Sequence, residues 1–207
     1  DSQGNLSYSL GINELNKSMA DALLGECAIT DILQKSGGLQ IAPSDNQLAD
    51  AELSLARSEG QEHALANLMK SVSGFDYVLI DCPPVLGVLM VNALAACSRI
   101  LMPVQTEFLA LKGLDRMMHT LEIMSKSLHK AFDALIVPTM YDKRVNAAKE
   151  AYASLKADYG NTTWKSTIPV DTRFREASQA QTPISIFAPR SRGAYAYTKL
   201  LLELETL

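Results

Sequence analysis

Short stretches of almost unbroken apolar sequence, at residues 39–42, 77–80, 100–104 and 134–137 with a weaker one at 163–168, constrain this chain more than any other feature. A strand with one wet face alternates apolar and polar residues. A strand covered on both faces reads as a continuous apolar run, and this is the signature of a parallel sheet sheathed by helices. The runs therefore predict strands buried inside an α/β layer structure.

The intervening segments carry helical spacing. Leu48, Leu53 and Leu55 mark one helix, and Ala64, Leu65, Leu68 and Met69 another. Between residues 108 and 128, Leu111, Leu114, Met118, Leu121 and Met124 fall mostly three or four apart, which predicts a single apolar face turned to a core. Residues 145–159 and 194–204 complete the set. Strand–helix alternation of this kind predicts a doubly wound, mostly parallel sheet with helices on both faces. Right-handed crossovers then bring the C-terminal ends of the strands to one edge, where ligands bind. No repeat or Pro/Gly/Ser-rich linker interrupts the 207 residues, so a single domain over 1–207 is expected.

Composition narrows the class. Hydrophobic residues make up 47% and charged residues 20%, which excludes a disordered chain or a coiled coil. No apolar run is long enough to span a bilayer, and the first residues lack a basic-then-apolar leader pattern, so no stable membrane association is expected. Cys27, Cys82 and Cys97 are odd in number and lack CxxC spacing, as befits reduced thiols in a cytoplasmic protein. The net charge of −4 is unevenly spread: residues 1–142 sum to −8 and residues 143–207 to +4. A basic C-terminal third suits contact with phosphates, although a merely solvated face has the same look.

Two segments carry chemistry. In Tyr77-Val-Leu-Ile-Asp81-Cys-Pro-Pro84 an apolar strand delivers a carboxylate to the ligand edge. This is the Walker B pattern, in which the Asp orients Mg²⁺ directly or through water. An Asp in this place also serves simply to cap the next turn; the prolines favour the Walker B reading by stiffening the segment after the Asp. At the N-terminus, Asp1-Ser-Gln-Gly-Asn5 reads as a polar turn with Gly4 supplying backbone freedom.

Taken together, Asp1-Ser-Gln-Gly-Asn-Leu-Ser-Tyr-Ser-Leu-Gly11, Leu79-Ile-Asp-Cys-Pro-Pro-Val-Leu-Gly87, Val91-Asn-Ala-Leu-Ala95, Pro103-Val-Gln-Thr-Glu-Phe-Leu-Ala-Leu-Lys-Gly-Leu114, Pro138-Thr-Met-Tyr-Asp142, Ile168-Pro169 through Arg173, and Ala188-Pro-Arg-Ser-Arg-Gly-Ala194 resemble, in order, the ParA/Soj family of partitioning ATPases. Ser2 departs from that family's usual proline. The resemblance implies a deviant-Walker P-loop NTPase using ATP and Mg²⁺. Asp1 then matches the switch I aspartate and Asp81 the Walker B aspartate, both catalytic and both near the metal. Thr139, Met140, Pro169 and Asp171 match the loops around the adenine. Met and Pro offer apolar surface to a flat ring, and backbone and carboxylate groups accept hydrogen bonds from its amino group. The resemblance further implies an ATP-dependent homodimer that binds double-stranded DNA without sequence preference and is stimulated by a ParB-like adaptor. It implies a cytoplasmic, nucleoid-associated location. Arg173 and Arg192 lie in matched motifs; Lys165, Arg175 and Arg190 join them as DNA-contact candidates by charge and proximity.

No GxxxxGK[ST] sequence, and no deviant form of it, occurs in the 207 residues. Ser36-Gly-Gly38 lacks a following Lys-Thr and precedes a strand rather than following one. The family's P-loop, with its strand and helix, would lie upstream of Asp1 on roughly 40 residues. The 207 residues alone are accordingly expected to bind ATP poorly and to turn none over, and the missing first strands are expected to leave apolar edges exposed. Three rival readings remain: a non-hydrolytic ParA-like binding module, a MinD-like membrane-cycling ATPase and an iron–sulfur relative. The C-terminal Lys199-Leu-Leu-Leu-Glu-Leu-Glu carries too few cations for the second, and Cys82 and Cys97 lack the Gly-rich setting of the third.

Overall fold

In the computed structural model, residues 1–57, 60–83 and 85–206 are described, and they gather into two compact units. One comprises 1–97 with 178–183, the other 98–177 with 184–207.

The first unit is mainly helical. It contains α1 (Asn5–Ser9), α2 (Met19–Leu23), a 3₁₀ turn (Ile29–Ile32), the strands β1 (Gln34–Ser36) and β2 (Leu39–Ile41), α3 (Gln47–Ala56), a second 3₁₀ turn (Gln61–His63), α4 (Ala64–Met69) and α5 (Val88–Ala96). Ser18 and Asp21 start α2 with a capping box: the Ser18 hydroxyl accepts from Ala20 N, and Ser18 N donates to the Asp21 carboxylate. α3 presents Leu48, Ala51 and Leu55, one helical face, to a core completed by Ala20, Leu23, Leu65 and Leu89. β1 and β2 form an antiparallel hairpin across Gly37 and Gly38, both at positive φ. This corrects the expected buried parallel strand at 39–42. With a turn of two glycines the run folds back on its neighbour, and Leu39 and Gln40 face solvent.

The run at 77–80 is the second correction. It pairs with no strand among the described residues, and Leu79 is 84% exposed. A strand is stabilised through its ladder and its covered faces. A segment without a paired strand lacks the ladder, so Tyr77, Val78 and Leu79 lie open while Ile80 packs against the core. Pro84 lies outside the described residues.

The second unit has the expected parallel core. β3 (Arg99–Gln105) runs beside β4 (Asp133–Thr139) in continuous register from Arg99↔Asp133 to Gln105↔Thr139, with α6 (Phe108–Ser127) as the crossover. An Arg99–Asp133 ion pair of 2.6 Å fixes the start of that register. α6 buries Leu114 and Leu121 and half-buries Leu111, Met118 and Met124, as its spacing predicts. It ends in a Schellman turn: His129, at φ 48, takes the left-handed position, and Lys130 N donates to Ser125 O at 3.0 Å. The expected strand at 163–168 is present only as bridges, Ile136↔Thr163 and Tyr141↔Pro169, both parallel, on the other side of β4. α7 (Asn146–Tyr159), α8 (Arg173–Gln179), α9 (Ile184–Phe187) and α10 (Arg192–Leu204) follow. Their core gathers Val137, Trp164, Ile168, Ala196 and Leu200.

Candidate functional site

In the first unit, Asp1 and Asp81, eighty positions apart, are neighbours: the Asp1 backbone nitrogen lies 3.0 Å from the Asp81 carbonyl oxygen. Asp1 is held by a network that begins at Ser44. The Ser44 hydroxyl donates to Asp1 O at 2.8 Å, the Ser7 hydroxyl donates to Ser44 O at 3.2 Å, and Ser44 N donates back to the Ser7 oxygen at 3.1 Å. Gly4 is needed here twice over. Its φ is 64, and a Cβ would come 2.8 Å from Ser44 O. Gln3 N closes the turn onto the Asp1 carboxylate at 3.1 Å. The freedom expected of Gly4 is thus used to press the Asp1 turn against residues 43–45.

Asp1 and Asp81 border a cavity of about 140 Å³ whose walls are mainly apolar, including Leu23, Leu48, Leu65, Met69 and Leu89. Its polar members include Ser7, Ser44 and Asn92. Asp81 itself is exposed, and Asp1 is half-buried. Among the described residues no group of three or more His, Cys, Asp or Glu gathers into a metal cluster.

In the second unit, Thr139, Met140, Pro169 and Asp171 come together at the C-terminal edge of the parallel pair. Thr139 ends β4, and its carbonyl accepts from Thr106 N at 3.1 Å, just past the end of β3. Tyr141 N donates to Ile168 O at 3.1 Å and Val170 N returns to Tyr141 O at 3.3 Å, which zips the 139–141 loop to the 168–171 loop. Met140 between them is at φ 53, a conformation that a side-chain-bearing residue adopts at a cost, and it is exposed. Strain retained by an exposed methionine at the ligand edge of a sheet marks a shaped loop.

Asp171 does more than line that loop. Its carboxylate accepts from Gly193 N at 2.9 Å, in the first turn of α10, and from Arg173 N at 3.0 Å, at the start of α8. The Gly193 amide first, and Arg173's second, hold its carboxyl below the usual carboxylate range, with Arg192 and Arg173 adding positive charge nearby. Gly193 is matched to the site: a Cβ there would run into the Phe174 ring. Ser191 supplies the remaining cap, accepting from Ala194 N at 3.1 Å.

Of the cationic candidates, Arg173 and Arg192 therefore flank Asp171. Arg173 is paired with Glu176, and Arg192 donates to Val170 O at 3.2 Å. Lys165, Arg175 and Arg190 are exposed, and their side chains form no ion pair or hydrogen bond among the described residues. Sequence reading missed the roles of Ser7, which stands inside the 1–11 segment without being singled out, and of Ser44, for which the Pro43-Ser44-Asp45 turn signal was the available clue.

A parallel β–α–β core with shaped loops at its C-terminal edge is of the α/β class, and the fold is that of the P-loop NTPases. Residues 1–134 match the family model described as an AAA domain. The chromosome partitioning protein ParA of Caulobacter vibrioides is 33% identical over 211 residues, covering 98% of this chain and 79% of that protein. The sporulation initiation inhibitor protein Soj of Bacillus subtilis is 34% identical, covering 98% and 83%. Among solved structures, cobyrinic acid a,c-diamide synthase from Mycobacterium smegmatis, with bound ATP analog and magnesium, superposes with a TM-score of 0.81 at 30% identity, over 96% of this chain and 76% of that one. The chain belongs to the ParA/Soj family of partitioning ATPases.

Proposed function

We propose that this protein, as a single ATPase domain, positions a large cargo such as a plasmid or chromosome. It would do so by cycling through an ATP-bridged homodimer, nonspecific double-stranded DNA binding and adaptor-stimulated hydrolysis in the cytoplasm, on the nucleoid. The observation that carries this reading is that Asp1 and Asp81, eighty residues apart in sequence, meet through their main chains and border the same cavity. A hydrolytic site for a triphosphate needs hard oxygen donors for magnesium, and the ion asks the protein for only one or two carboxylates, taking its other ligands from water and phosphate. Asp81 and Asp1 fit that demand. Magnesium, when bound, neutralises charge on the phosphoryl oxygens. Asp81 orients the ion directly or through water, and Asp1 helps to hold the attacking water in line.

The zipped 139–141 and 168–171 loops suit a purine: Met140 and Pro169 offer apolar faces, and Thr139 and Asp171 offer polar ones. Asp171 already holds two backbone amides, so its contribution there includes fixing the loop. Relatives with a bound ATP analog and magnesium at this fold support the choice of cofactors.

Steady-state hydrolysis by the intact protein, as its host makes it, tests the reading. Asp81→Ala is expected to abolish turnover, with a loss of at least about a hundredfold for a group that organises transition-state charge. Undiminished hydrolysis by that variant would remove Asp81 from the chemistry.

A further inference from the structure

The helix after the Asp81 segment starts without a cap of its own. Gly87, the residue before α5, has no side chain to offer the first-turn amides, which are otherwise orphaned. The missing acceptor arrives from α3. Glu52 Oε1 lies 3.4 Å from Leu89 N, in a position where a helix N-terminus favours negative charge. A Cβ placed on Gly87 would collide with that same Glu52 oxygen. Gly87 is extended, at φ −144 and ψ −177, so its backbone suits any residue; a side chain there would instead push the Glu52 carboxylate away from Leu89 N.

The same helix is pinned further along. Asn92, only 1% exposed, accepts from Leu65 N at 3.0 Å and donates to Gln61 O at 2.8 Å and Val88 O at 3.0 Å. Asn92 holds the middle of α5, Leu89 packs its first turn into the core, and Glu52 adds an acceptor for the amides of that turn. Only five residues, Pro83 among them, lie between Asp81 and Gly87, so a short link joins the start of α5 to Asp81.

From this arrangement we infer that Glu52 is a positioning residue: it sets Asp81 through the N-terminus of α5, and Gly87 is the vacancy cut to receive it. The kinetic part of this inference rests on the ATPase reading above; the structural part does not. Four variants of the intact protein test both: Glu52→Gln, Glu52→Ala, Gly87→Ala and the double variant Glu52→Ala/Gly87→Ala. In urea unfolding, Gly87→Ala is expected to lower the midpoint, and adding Glu52→Ala to recover most of that loss, because the collision then has no partner. Purely additive losses in the double variant would overturn the clasp. In kinetics, Glu52→Ala is expected to lower kcat roughly tenfold with little change in KM for Mg-ATP, as for a misplaced catalytic group. Glu52→Gln, which keeps the acceptor oxygen, should restore it. Wild-type kcat in Glu52→Ala, or no rescue by Gln, would overturn the positioning role. Absence of turnover from the wild-type protein would sink the ATPase reading and that role together, while the unfolding pattern would still decide the clasp.

Discussion

Asp171 shows how one side chain serves two helices. By accepting from Gly193 N and Arg173 N it occupies orphan amides at the start of both α10 and α8. Removing a cap costs about 1 kcal/mol, so Asp171→Ala is expected to lose about 1–2 kcal/mol. Asp171→Asn, which still accepts, should lose less. The pH dependence has a definite sign. A carboxyl held below its unfolded value of about 3.9 contributes stability above that pH and loses it as pH falls through the folded value. The gap between wild type and Asp171→Ala should therefore be full at neutral pH and shrink below about pH 4, whereas the Asn variant should show no such titration of its own. Urea titrations at several pH values measure this. A gap that widened on acidification would contradict the capping role.

At the scale of elements, how much the sequence revealed depended on whether a pattern was local. The face of α6 could be read from its spacing, because a helix makes its own hydrogen bonds and needs only one covered side. The pairing of β3 with β4 was legible for a related reason: both runs are long and apolar and have a helix of suitable length between them. The runs at 39–42 and 77–80 were misread because a strand depends on neighbours that composition does not name. Asp1, Asp81 and the 139–141 and 168–171 loops stand in segments that the sequence singles out, while the contacts of Ser7, Ser44 and Glu52 reach 37 residues along the sequence and show in no local pattern. α10 provides a test of element anchoring. Trp164, 1% exposed, donates its indole N–H to Glu203 Oε2 at 2.9 Å and packs with Leu200. Glu203→Ala leaves a buried donor without its acceptor, an expected cost of about 1–3 kcal/mol. As the only tryptophan, Trp164 reports the change itself, by its fluorescence during unfolding. A variant as stable as wild type would mean that the end of α10 is held by the apolar contacts of Leu200 and Leu204 without the hydrogen bond.

Over the whole molecule the decisive quantity is the separation of charge, −8 over residues 1–142 against +4 over residues 143–207. A polyanion is drawn to the second stretch and repelled by the first, and a binding mode that needs no base contacts asks for nothing more than cations free to meet phosphates. Among the proposed contacts, Arg173 and Arg192 already have partners in Glu176 and Val170 O, so substituting them disturbs the loops around Asp171 as well as any DNA surface. Lys165, Arg175 and Arg190 give the cleaner test. The affinity of the intact protein, with ATP and magnesium, for a random-sequence duplex should fall linearly on a log–log plot against salt. Each cation that neutralises a phosphate contributes about 0.9 to the slope. Replacing the three by Ala is expected to flatten the slope by up to about 3 and to weaken binding alike on every sequence. Anisotropy titrations between about 50 and 200 mM salt resolve this, since a protein with several phosphate contacts changes affinity by orders of magnitude over that range. An unchanged slope would place the DNA surface elsewhere on the protein, and a loss confined to particular sequences would replace nonspecific binding with base readout.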